Sequence, residues 1–171
     1  KSLKIHSLLQ RVMRKKGLVC FDLDNTLVFS TALHVDAFRK AFKKHRLPQR
    51  SSKEIVRWFS LESSAIVKKL YPALSHENVR KVVADHNSFF VSGTICGVRR
   101  VPGAVPVLKK LRKKYTLVLL SNCTTGEILA TLKRAKIPRP LFALILGNEK
   151  VRHPKPAPDE IFKAEHLLHF Q

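Results

Sequence analysis

Val19-Cys20-Phe21-Asp22-Leu23-Asp24-Asn25-Thr26-Leu27 is the stretch that decides the fold. An apolar run of strand length ends in two aspartates one residue apart, with a threonine two positions later. Residues two apart along a strand point to the same side. At the strand's carboxyl end this sets two carboxylates beside one pocket. Like charges so close are costly unless a cation or a proton separates them. The pattern therefore points to a metal-assisted nucleophile with an acid/base beside it. A strand ending in an Asx-type turn is the plainer alternative, since Asp and Asn favour turns.

Working outward, Leu18 to Asp22 reads as a buried strand, and the pattern then turns helical. Val35, Phe38, Ala41 and Phe42 recur at helical spacing within His34 to His45, a helix that Leu47-Pro48 closes. Ser52 to Phe59, Ser63 to Leu70 and His76 to Val91 read as further helices, up to Gly93. From Val101-Pro102-Gly103 the chain alternates: a helix over Ala104 to Lys114, a strand over Tyr115 to Leu120, a helix over Gly126 to Ala135, a strand over Leu141 to Leu146 and a helix over Pro158 to Phe170. Strands alternating with helices predict an α/β fold, a Rossmann-like parallel sheet with covering helices. The division expected is a basic N-terminal helical extension over 1–17, an α/β core over 18–30 and 98–171, and a helical cap over 31–97.

The 171 residues suit one domain with a modest insertion, and a hydrophobic fraction of 44% suffices for a core. No apolar run approaches the roughly 20 residues that span a bilayer. Cys20, Cys96 and Cys123 are few, odd in number and widely spaced, which argues against a disulfide framework or a zinc site and for a reducing compartment. An intracellular location, the cytoplasm by default, is expected. The acid-free segment from Lys1 to Gly17, with Leu8, Leu9, Val12 and Met13 at helical spacing, keeps an organellar (mitochondrial) targeting remnant open. It also reads as a basic helix for RNA or an anionic surface, or as a helix packed on the domain. Lys and Arg number 33 against 12 Asp and Glu, a formal charge of +21. Such an excess attracts polyanions, so nucleic acid or a ribonucleoprotein is one expected partner; a surface tuned to anionic substrates is the alternative.

Sites in open α/β sheets lie at the carboxyl ends of the strands. The first strand ends at Asp22 and Asp24, the second at Ser121-Asn122. The third leads to Lys155, set between prolines in Pro154-Lys155-Pro156-Ala157-Pro158-Asp159. A carboxylate, a hydroxyl and a cation converging at one edge describe a phosphoryl site.

On these residues the chain resembles the haloacid dehalogenase superfamily of phosphotransferases, in its phosphoglycolate phosphatase and β-phosphoglucomutase branch. Asp22-Leu23-Asp24-Asn25-Thr26 is similar to its first motif, Ser121-Asn122 to its second and Lys155 in Lys-Pro-Ala-Pro-Asp to its third. The resemblance implies a Mg²⁺-dependent phosphatase for a small phosphorylated metabolite, with a helical cap. Asp22 would be the nucleophile that carries an aspartyl-phosphate, and Asp24 the general acid/base. Ser121 and Lys155 would hold phosphoryl oxygens, Thr26 would brace the loop and Asn122 would line the site. Mg²⁺ would sit on the Asp22 carboxylate and the Asp24 main-chain carbonyl. The family's fourth motif, an acidic cluster on a strand beside the first, has no counterpart, since Asp159, Glu160 and Glu165 all fall in the last helix. This departure is consistent with a fragment. It is also consistent with a shortened, catalytically incomplete relative that binds RNA. Without that strand, the first strand is expected to be covered by other residues or another chain.

Further readings follow from position. His34 is expected as a polar helix-start residue, with a substrate contact as the alternative, and His153 as a solvated loop residue, with a phosphate contact as the alternative. Cys123 is expected as structural, because Cys123-Thr124-Thr125-Gly126 lacks the arginine a cysteine phosphatase loop needs. Trp58 and Phe59 are expected in the core rather than with Arg57 on a substrate face, and Arg99 and Arg100 either as a solvated basic pair or as contacts for an anionic substrate.

Overall fold

The computed structural model describes residues 16–93 and 97–170. The basic helix expected over Lys1 to Gly17 therefore lies almost wholly outside the described residues.

A three-stranded parallel sheet runs in the order β1 (Leu18–Phe21), β4 (Thr116–Ser121), β5 (Leu144–Gly147). All six residues of β4 are buried, which explains its unbroken apolar sequence: a central parallel strand is covered on both faces. Its period-two alternation sends Leu117 and Leu119 to one face and Val118 and Leu120 to the other. Leu117 and Leu119 meet Ala104 and Leu108 of α5 (Ala104–Arg112), and Ile128 and Leu132 of α6 (Thr125–Arg134). Val118 and Leu120 meet Ala164 and Leu168 of α7 (Asp159–Leu168). Helices thus cover both faces, as the α/β reading expects.

Among the described residues β1 pairs with β4 alone and forms the sheet's edge; Cys20 is exposed while Leu18, Val19 and Phe21 are half-buried. The cover expected beside β1 is thus not supplied by any described strand.

Between β1 and β4 lie α1 (Thr31–Lys44), α2 (Ser52–Val56), α3 (Ser63–Leu70) and α4 (His76–Ser92). They close around a second core of Phe38, Phe42, Ile55, Val67 and Val82, on which Trp58 and Phe59 pack. Among the junctions that tie this helical unit to the α/β layer are a strand pair and an arginine clasp. β2 (Val28–Phe29) and β3 (Arg99–Arg100) form a short antiparallel pair where the chain leaves and returns. The guanidinium of Arg134, on α6, donates to the carbonyls of Phe90 (3.0 Å), Val91 (2.6 Å) and Gly93 (2.8 Å) at the end of α4.

Three details depart from the sequence reading. The β2–β3 pair is too short to leave a periodic signal. The strand expected from Leu141 begins at Leu144, because Arg139–Leu141, with Pro140 inside it, forms a 3₁₀ turn. The helix expected to reach Phe59 stops at Val56, and the turn that follows carries Phe59 and Ser60 toward the site.

Candidate active site

The loop after β1 is wound on Leu23, which is fully buried and whose carbonyl accepts from the N–H groups of Thr26, Leu27 and Val28. Asn25 takes a positive φ of 61°, a conformation asparagine tolerates better than most residues. Burying Leu23 turns its neighbours Asp22 and Asp24 outward, into a pocket of about 400 Å³. Ser121, Asn122, Cys123 and Lys155 line the same pocket, and Phe59, Leu61, Ser63 and Ile66 of the helical unit form its opposite wall.

The six residues singled out in the sequence meet here. The Lys155 ammonium donates to Asp22 Oδ1 and, at 3.3 Å, to the carbonyl of Leu120 at the end of β4. Thr26 Oγ1 lies 3.4 Å from Asp22 Oδ2 and braces it from outside the pocket. Ser121, 2% exposed, accepts from the Cys123 N–H at 3.1 Å, and none of the described residues accepts from its hydroxyl. The Asn122 side-chain amide donates to the carbonyls of Ser60 and Lys155, both at 3.0 Å.

Gly147 lies opposite Ser121 in the register of β4 and β5. A Cβ there would stand 2.6 Å from the Thr125 nitrogen and 2.7 Å from the Cys123 carbonyl oxygen, too close for any side chain.

Asp24 is more enclosed than Asp22. Burial by itself raises its carboxyl, but the His34 ring and the Ser30 hydroxyl and Cys123 thiol that donate to it bring it below the ordinary carboxylate value. The Cys123 thiol is pushed well above 9.0, by burial first and then by the charges of Asp24 and Glu127, so it is protonated and not nucleophilic.

His34 corrects the sequence reading. It lies inside α1 rather than at its start and is buried against Phe90, Phe59 and His86. Its Nε2 lies 3.7 Å from Asp24 and 3.6 Å from Cys123. Behind it His86, fully buried and pushed down to about 3 by burial and then by His34, leads to the buried carboxylate of Glu127 at 3.6 Å. Phe59 packs on the second core but also lines the pocket. Nothing in the spacing of Ser30, His34 and Cys123 announces that they meet at Asp24; helix packing brings them there. His153 and the Arg99–Arg100 pair are exposed, as expected.

Glu160 has both carboxylate oxygens buried with no hydrogen-bond partner. Burial raises its carboxyl, which Lys155 opposes and Asp22 reinforces. The carboxylates of Asp22 and Asp24 bring hard oxygen donors to the pocket, a donor set that fits a hard divalent cation such as Mg²⁺.

A family model described as "Haloacid dehalogenase-like hydrolase" matches residues 19–171. The chain belongs to this family. Among curated proteins it is 26% identical over 154 residues to a phosphoglycolate phosphatase of Haemophilus influenzae, covering 85% of this chain and 68% of that protein. It is 24% identical over 160 residues to a phosphoglycolate phosphatase of Photorhabdus laumondii, covering 89% and 67%. Among solved structures, a haloacid dehalogenase-like hydrolase from Bacteroides fragilis superposes with a TM-score of 0.80 at 22% identity, over 91% of this chain and 73% of the other. A haloacid dehalogenase-like family hydrolase from Streptococcus pneumoniae gives 0.69 at 23%, over 91% and 70%. The matches are to hydrolases, which favours the enzyme over the RNA-binding alternative. No helix of the described residues is long and apolar enough to cross a membrane.

Proposed function

We propose that this haloacid dehalogenase-like hydrolase is a Mg²⁺-dependent phosphatase of small phosphorylated metabolites, acting through an aspartyl-phosphate on Asp22. The observation that carries the reading is the Asp22 carboxylate, gripped by Lys155 and braced by Thr26 at one wall of a pocket whose other wall is the helical unit.

Asp22 attacks phosphorus and the bond to the leaving oxygen breaks. Asp24 gives that oxygen its proton, then takes one from the water that attacks the aspartyl-phosphate and releases inorganic phosphate. In the free protein Asp24 is ionised, so it must load a proton before the first step; the negative charge of an arriving phosphate ester favours this. The Lys155 ammonium and the Ser121 hydroxyl meet the phosphoryl oxygens as charge spreads over them. Mg²⁺, held by the Asp22 carboxylate and the Asp24 main-chain carbonyl, would neutralise charge between nucleophile and phosphate. Residues 31–97 act as a cap that shields the reaction from water.

The test is turnover of an aryl phosphate and of phosphoglycolate by the 171-residue chain with Mg²⁺, beside Asp22→Asn. Turnover lost in the variant is the expected result. A folded chain without turnover, or turnover that survives Asp22→Asn, overturns the reading.

A further inference from the structure

Beside the hard-oxygen donors at Asp22 lies a donor set of different character. Cys123 Sγ, His34 Nε2 and the Asp24 carboxylate converge at the inner end of the pocket. Sγ lies 3.3 Å from Asp24 Oδ2 and 3.6 Å from His34 Nε2, and Nε2 lies 3.7 Å from Asp24 Oδ1. Zinc bonds sulfur near 2.3 Å and nitrogen or oxygen near 2.0–2.2 Å, so a tetrahedral ion needs ligand atoms roughly 3.3–3.6 Å apart. Sγ already stands at that spacing from Nε2 and from one Asp24 oxygen, and Nε2 lies slightly beyond it from the other, so a small turn of the carboxylate completes the set. His34 and Cys123 are buried, and all three residues line the pocket. With all three residues lining the pocket, the cavity can supply the fourth ligand, water or a phosphate oxygen.

We propose that Asp24, His34 and Cys123 form a zinc site distinct in chemistry from the Mg²⁺ position, and that zinc there switches the phosphatase off. A thiolate and an imidazole prefer zinc over Mg²⁺. The outer shell agrees: the second ring nitrogen of His34 lies 3.5 Å from His86, whose far side faces the buried Glu127 carboxylate. Such a chain behind a ligating histidine fixes its ring. Asp24 and Glu127 place two acids around a buried ring pair, and a divalent ion offsets that charge. On binding, the Cys123 thiol releases its proton to solvent and the sulfur takes the metal in its place. Zinc also occupies the Asp24 carboxylate, which then neither donates nor accepts a proton. The binding stands on geometry alone; the inhibition rests on the proposed role of Asp24.

The 171-residue chain, untagged and stripped with a chelator, is titrated with zinc chloride against a chromophoric chelator and, separately, with cobalt(II). One zinc per chain and a thiolate-to-cobalt charge-transfer absorption are expected, both retained in Cys20→Ser and Cys96→Ser. Cys123→Ser removes the absorption, and Cys123→Ser or His34→Gln lowers zinc affinity by at least about 100-fold, since even an outer-shell partner is worth 10–100-fold. One equivalent of zinc suppresses aryl phosphate turnover measured with Mg²⁺, and a chelator restores it. Absence of the cobalt absorption in the wild-type chain overturns the site whether or not the variants fold, as does zinc binding undiminished in folded Cys123→Ser. Binding without suppression keeps the site and removes the proposed role of Asp24.

Discussion

Asn122 donates its side-chain amide to the carbonyl of Ser60, joining the end of the central strand to the helical unit across the mouth of the pocket. The same nitrogen donates to Lys155, so one side chain aligns the cation and the cap together. Asn122→Ala removes both bonds and should lower stability by about 1–2 kcal/mol, read from urea unfolding. It should raise KM more than it lowers kcat, because the nucleophile is held by Lys155 and Thr26. An unchanged KM would show that Ser60 is not held there in solution.

Asp24→Asn keeps the shape of the carboxylate but loses its proton chemistry. Turnover should fall by about 10²–10⁴. With an aryl phosphate whose leaving group needs little acid assistance, the loss should fall on hydrolysis of the aspartyl-phosphate. A rapid burst of one equivalent of phenolate per chain is then expected, followed by a slow steady state. A variant slowed without a burst would place Asp24 in the first step alone.

Glu160 gives a pH dependence whose sign can be worked out. Its folded-state carboxyl is raised above 4.5, its ordinary value, by burial first. Between the two values the folded chain binds more protons than the unfolded one, so this group's contribution falls as pH rises through the raised value. Glu160→Leu should therefore stabilise the chain at pH 7 by about 1–3 kcal/mol, with the gain disappearing below pH ~4.5. Urea unfolding at both pH values checks this. A loss of stability at pH 7 would mean the carboxylate has a partner in solution.

Gly147→Ala forces a methyl group against the Thr125 nitrogen and the Cys123 carbonyl. The backbone must shift, at a cost of about 1–3 kcal/mol, and Tm should drop by several degrees. Because the shift moves the Ser121–Cys123 turn, turnover should fall too. A Tm matching wild type would show that the turn yields freely.

The legible part of this chain was the part written in local pattern. The unbroken apolar run of β4, the Asp22–Thr26 loop and the proline-framed Lys155 each carry their signal within a few residues, and together they placed the sheet and one edge of the site. His34 shows where local pattern stops. From sequence it is a polar residue near a helix start, and its burial beside Asp24 follows only from how α4 packs against both α1 and α6. Cys123 has the same history: its neighbours in sequence say nothing of His34, which lies 89 positions away. Short elements escaped for a different reason, since the two residues each of β2 and β3 are fewer than one period of any pattern.

The Arg134 clasp has a mechanical consequence. One guanidinium holds three carbonyls at the end of α4, while a single Asn122 amide holds Ser60. The two fastenings are unequal in the number of bonds each would have to give up. Parting Ser60 from the site would break one hydrogen bond where parting α4 from Arg134 would break three, so opening beside the asparagine that aligns Lys155 is the cheaper of the two.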